Sequence, residues 1–251
     1  MISKKQTFTS TRFPYWILLM LLLASCSVLT YNLDSYHSSL VGTYTKDAKS
    51  LGAVERVALV AFTVQSPSMA DVEIVGPLAD LAYQQALVEM QAQSTLTFIP
   101  IEQVVENNVY ASMRLDLNPQ TYSPIEGLTY LPEDFENLDI AGLCESLQVD
   151  ALLFIHLEFD WEFPTVNAVT MKTRDRVMLV VPPDGKIVWE GKQSIWDETL
   201  VPVPVDFKLL LGIPNTDEWA VIVEYAGKDP KVRALGGEPI YFLAENVAQA
   251  R

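Results

Sequence analysis

The chain has 251 residues, of which 49% are hydrophobic and 20% charged, with a formal net charge of -15. That balance excludes a disordered polymer and leaves enough chain for one substantial core. The acidic excess makes nucleic acid and anionic lipid headgroups poor partners, and it suits a surface kept soluble by like charge.

The first element is an export signal. Lys4, Lys5 and Arg12, with no acid among them, precede an apolar run from Trp16 to Leu23 and the small residues Ala24 and Ser25. The run is shorter than the ~20 apolar residues that a spanning helix needs, and it gives way to Ser25, Ser27, Thr30 and Asn32. Leu23-Ala24-Ser25-Cys26 resembles the bacterial lipobox, which implies cleavage between Ser25 and Cys26 and a diacylglycerol, with palmitate-type acyl chains, on the Cys26 thiol. Several acyl chains on one residue give stable anchoring without any other membrane contact. Ser27 stands where lipoproteins retained in the inner membrane often carry Asp, so the resemblance points to the outer membrane, periplasmic face. Without the signal the chain loses three basic residues, leaving 14 against 32 acidic ones, a net of -18. Cys144 then has no intramolecular partner, which excludes a disulfide framework.

Four segments are expected: residues 1–25 as signal, 26–53 as lipidated cysteine and tether, 54–196 as an α/β core domain, and 197–251 as a C-terminal extension. Residues 27–53 are rich in Ser, Thr, Tyr and Asn without apolar period. As a coil they would average about 30 Å end to end, with a taut limit near ~90 Å. Arg56 to Val64 is apolar on both faces, which predicts a central strand. Residues 78–93 place Ala79, Tyr83, Ala86, Leu87 and Met90 on one helical arc, opened by Pro77 in the first turn. Leu81 and Val88 form a thinner stripe outside it. Residues 95–99 predict a short strand, and Pro100 a second helix from about Ile101, with Ile101, Val104, Val105 and Val109 on its apolar side.

Residues 114–132 break the pattern with prolines, a glycine and tyrosines. Such a connection either binds something or folds back to cover the sheet edge and helix ends. Tyr122, Leu128, Tyr130 and Leu131 are its candidate partner-binding anchors.

Asp139 is positioned to cap a helix whose residues 140, 143, 144 and 147 share a face, which makes Cys144 a small buried hydrophobe. Residues 151–163 predict a strand with one covered face, since from Ile155 to Phe163 apolar residues alternate with His156, Glu158, Asp160 and Glu162. A second strand, residues 172–181, joins a third, 186–196, through Pro182-Pro183-Asp184-Gly185, where Asp-Gly signals a hairpin. Antiparallel pairing about Asn167 would set Glu162 opposite Lys172, Asp160 opposite Arg174 and Glu158 opposite Arg176. After Asp197, VPVPV does not suit a central strand, and residues 216–225 read as helix or strand, with Asn215 and Glu218 leaning towards helix. Ile240, Leu243, Ala244 and Val247, after Pro239, predict a closing helix.

RVALVAFTV, TFIPIEQVVENNVY, CESLQVDALLFIHLEF and RVMLVVPPDGKIVWEGK, in that order, resemble the bacterial lipoprotein superfamily of the curli-secretion lipoprotein, the LpoB-type penicillin-binding-protein activators and the N-terminal domain of the Tol-system propeller protein. Its most telling parts are Val149-Asp150-Ala151 leading into a strand, and Gly185-Lys186-Ile187-Val188-Trp189 in a hairpin. The resemblance spans residues 56–196 and departs from the superfamily in residues 114–132 and after Asp197. It implies an α+β fold, a mixed β-sheet with a β-hairpin and helices packed on it, in proteins that bind or assemble instead of catalysing.

No phosphate-binding loop, dinucleotide fingerprint, nucleophile elbow or zinc-protease motif occurs, and two histidines give little material for a triad. The acids beside His156 could offer oxygen ligands to a divalent cation, but cross-strand pairing with basic residues reads them as a solvated face. The expected function is therefore non-enzymatic, with no catalytic residues, no metal and no cofactor. It is that of an outer-membrane lipoprotein that binds a cell-envelope protein partner in assembly or secretion, with a homo-oligomer as a further candidate. The alternatives are an oligomeric secretion channel and a metal-dependent hydrolase.

Overall fold

In the computed structural model residues 38–66, 75–114, 121–128, 138–165, 168–202, 224 and 230–251 are described. The chain divides into Met1–Tyr36 and His37–Arg251, and the fold is that of the second unit.

A mixed seven-stranded sheet is built from β1 (Ser38–Thr45), β2 (Arg56–Gln65), β3 (Thr97–Ile99), β4 (Thr121–Tyr122), β5 (Ala151–Thr165), β6 (Ala168–Val181) and β7 (Lys186–Pro202). The order is β1-β7-β6-β5-β2-β3, with β4 also on β2. β2 is parallel to β3 and β5, and every other pair is antiparallel. The helices are α1 (Ala48–Gly52), α2 (Gly76–Ala92), α3 (Ile101–Val105), α4 (Asn108–Met113), α5 (Ile140–Leu147) and α6 (Pro230–Ala250).

β2 is the expected central strand, buried continuously from Val57 to Val64, so both its faces are covered. Its pairing with β5 steps from Leu59 to Ala61, leaving Val60 as a bulge, and the Tyr110 hydroxyl of α4 donates to the Val60 carbonyl at 2.7 Å. A fully buried tyrosine thus satisfies a backbone group at an irregular point of the ladder. α2 packs on the sheet through Tyr83, whose ring meets Phe62 edge-on at 5.1 Å. Burial and the nearby Glu102 push the Tyr83 hydroxyl's pKa well above its ordinary value.

α5 begins as expected, with Asp139 accepting from the Gly142 N–H at 2.8 Å, and it buries Ile140, Leu143, Cys144 and Leu147. It ends at Gln148 in the left-handed conformation, φ 55°. Asp150 then accepts from the backbone N–H groups of Glu55 and Arg56 at 2.9 and 2.8 Å, while the Arg56 guanidinium donates to the Gln148 carbonyl. The Val149-Asp150-Ala151 step therefore aligns the start of β5 with the start of β2. β5 is buried without interruption from Ala151 to Ile155 and then alternates, so one face opens to solvent at His156.

Four expectations are corrected. The reading of 26–53 as tether fails over its later part, because Ser38–Thr45 pairs with Trp189 to Trp196 of β7 and Asp47 caps α1. Lys186 and Ser50 hold the Asp47 carboxyl below its usual range, so this ion pair fastens the cap to β7. The helix expected from Ile101 is two short ones, because Asn107 caps a new helix by accepting from Val109 and Tyr110 N–H groups. β7 continues past Trp196 to Pro202, where beyond Trp196 it pairs, among the described residues, with β6 alone, a position that tolerates proline. The C-terminal helix starts well before Pro239, which lies inside α6; its expected inward residues Ile240, Leu243, Ala244 and Val247 are all buried. Residues 215–218 lie outside the described residues.

The β5–β6 register also differs, by two residues. Asp160 lies opposite Lys172, Glu158 opposite Arg174, His156 opposite Arg176 and Glu162 opposite Thr170. Thr165 lies opposite Ala168, and Phe163 and Pro164 together oppose Val169 in a bulge where proline has no N–H to donate. A shift of two keeps every side chain on its expected face. The charge-reversal cycle that reads this register is therefore Glu158→Lys with Arg174→Glu. Each single reversal is expected to lower stability by about 0.2–1 kcal/mol, because the pair is partly exposed, and the double to recover part of it. Urea midpoints that simply add would contradict the pairing.

Candidate functional site

Cys26 and Ser25 lie outside the described residues, as do Tyr130 and Leu131. The two other candidate anchors fall where the core is closed. Tyr122 pairs in β4 with Val64 of β2, and its hydroxyl donates to Asp80 Oδ1 of α2 at 3.1 Å. Its ring lies against Gly76, where a Cβ would come within 3.4 Å of Cζ. Half-buried Tyr122 thus ties β4 to the first turns of α2.

Leu128 is fully buried. The turn before it is held by Ser123 Oγ donating to the Ile125 carbonyl at 2.9 Å and by Gly127 at φ +98°, beside Arg114 and Val105. As a binding anchor Leu128 is corrected: a side chain with no exposed surface packs, and offers a partner nothing. The described part of residues 114–132 therefore folds back onto the sheet and helix ends. The outer stripe of α2 is split, since Leu81 packs partly on the core while Val88 is 58% exposed.

The open face of the sheet carries the charges. Arg174 meets Glu158 at 3.1 Å, His156 Nδ1 lies 2.9 Å from Thr63 Oγ1, and Glu190 joins Arg176 at 3.1 Å and Lys46 at 2.7 Å. Glu190 is 4% exposed, whereas Lys46 and Arg176 are substantially wetter. Sequence alone does not show this network, because Lys46 reaches it from just past the end of β1, a segment whose composition reads as tether. The available signal was Glu190 set between Trp189 and Gly191 in an otherwise strand-like run. Among the described residues no group of three or more His, Cys, Asp or Glu side chains is arranged to hold a metal ion. The Cys144 thiol is 3% exposed, and burial, with Asp150 nearby, pushes its pKa up to about 12, which leaves it protonated and inert.

No protein-family model and no curated protein matches the chain. Solved structures similar to it include a lipoprotein, GNA1162, from Neisseria meningitidis: 16% identical, TM-score 0.36, covering 55% of this chain and 79% of that one. The PelC dodecamer from Paraburkholderia phytofirmans is 10% identical, with TM-score 0.29, covering 81% of this chain and 97% of that one. A single-residue variant of that dodecamer gives the same identity and score over 76% and 96%. No helix among the described residues is long and apolar enough to cross a membrane.

Proposed function

We propose that the protein is a non-enzymatic lipoprotein, held by lipid on Cys26 to the periplasmic face of the outer membrane, where its domain binds a protein of the cell envelope. The observation that carries this reading is Leu23-Ala24-Ser25-Cys26 at the end of a basic-then-apolar segment, followed closely by a folded unit. The first strand among the described residues begins at Ser38, so the chain from Cys26 to it extends at most about 40 Å, less than half of what a tether running to residue 53 would allow. A domain on so short a lead meets partners near the membrane surface, not across the periplasm. The channel reading has less support: β5 continues past its last pairing with β2 only over residues 159–165, short of the roughly 9–11 residues that a bilayer-crossing strand needs.

Cys26→Ala tests the anchor. The variant is expected to remain uncleaved and to leave the outer-membrane fraction, while normal processing and fractionation would contradict the reading. Crosslinking in intact cells, with the anchor retained, is expected to capture an envelope protein on the wild-type chain and to lose it on the variant.

A further inference from the structure

The two edges of the sheet are guarded very differently. β3 ends one side with three residues, Thr97–Ile99, too short to template much pairing. β1 ends the other with eight, SSLVGTYT, in unbroken register with β7 from Ser38 opposite Trp196 to Thr45 opposite Trp189. Edge strands are normally blunted by lysine, proline, a bulge or shortness, because their outer N–H and C=O groups will pair with any other strand. β1 has no charged residue, no proline and no bulge, and among the described residues it pairs with β7 alone.

We propose that β1 is a self-association edge: β1 of one chain pairs antiparallel with β1 of a second copy, joining two sheets about a two-fold axis. Three observations choose the occupant. Identical strands pair antiparallel in an isologous contact that uses the whole of β1 on both sides, whereas pairing β1 to a neighbour's β3 would use only three residues. The lead also fits. An antiparallel pair of eight-residue strands puts the two Ser38 ends about 24 Å apart. Each end is followed back by up to about 40 Å of chain, so both Cys26 residues reach one membrane. Confinement to a surface then raises the effective concentration of copies for each other. The last two steps rest on the lipid-anchor reading; the edge and its pairing do not.

The test is disulfide crosslinking of the full-length protein in intact cells, with single cysteines placed in turn at Ser39, Leu40, Val41, Gly42, Thr43 and Tyr44. The parent chain serves as control, because Cys144 is buried and Cys26 is lipidated on the reading above. A disulfide-linked dimer is expected at positions beside the two-fold axis and not at Thr97→Cys in β3. Leu40→Lys or Thr43→Lys, added to the crosslinking variant, is expected to abolish the dimer while membrane fractionation is unchanged. No dimer at any β1 position in protein that fractionates with the membrane would overturn the pairing and leave the anchor standing. Crosslinks to a different protein, or persistence of the dimer in both lysine variants, would overturn it equally. If the anchor reading alone is wrong, the protein leaves the membrane fraction but still forms the β1 dimer when purified and concentrated.

Discussion

Gly236→Ala is expected to lower stability by at least about 3 kcal/mol, whereas Gly237→Ala, one residue on, should leave it unchanged or raise it by up to about 1 kcal/mol. A Cβ at position 236 would lie 1.7 Å from the carbonyl oxygen of Ala82 and 2.6 Å from its carbon. Both are backbone atoms, so no rotamer change relieves the clash and α6 would have to lift off α2. That movement loosens the packing of two helices that both carry buried apolar residues, Ile240, Leu243, Ala244 and Val247 on α6 and Ala82, Tyr83 and Ala86 on α2. At position 237 the nearest atom is 3.5 Å away, an ordinary contact, and alanine there removes only the backbone entropy of a glycine inside a helix. Urea midpoints that shift alike for the two variants would show that α6 does not pack on α2 at Gly236.

The second large effect concerns Glu190. Lys46→Ala and Arg176→Ala together take two ion-pair partners from a carboxylate that is 4% exposed. The expected cost is about 3 kcal/mol, at the low end for breaking a buried pair because solvent already reaches both cations. Glu190→Gln should cost less, about 1 kcal/mol, because Lys46 and Arg176 have side chains 44% and 38% exposed and turn back to water. The order is the test. If Glu190→Gln proves the more damaging, Lys46 and Arg176 are not the main hold on the carboxylate.

Much of the scaffold was legible because its signals are local. Val57 to Val64 has no polar face to expose, Asp139 stands three residues before the amide it caps, and Asp184-Gly185 sets the hairpin between β6 and β7. What escaped depends on distant partners. SSLVGTYT is half polar, and it becomes a strand only by pairing with residues some 150 positions later; strand preference is largely a property of such context. The β5–β6 register turned on a bulge at Phe163 and Pro164 that charge pairing alone did not reveal, since a two-residue shift also opposes acids to bases. Gly236, Gly237 and Pro239 argue against a helix by propensity, yet Gly236 is required by the close approach to Ala82, so packing decides. Of the candidate anchors, Leu128 read as available because it sits among prolines and tyrosines, although an apolar residue in a short turn serves equally well as a plug.

The lipid anchor depends on the chemistry at Cys26, and mass spectrometry of the protein extracted from membranes reads it directly. The expected N-terminal peptide begins at Cys26 and carries the mass of a diacylglycerol, with nothing recovered from residues 1–25. A peptide that crosses the Ser25–Cys26 bond, or one with a free Cys26 thiol, would contradict it.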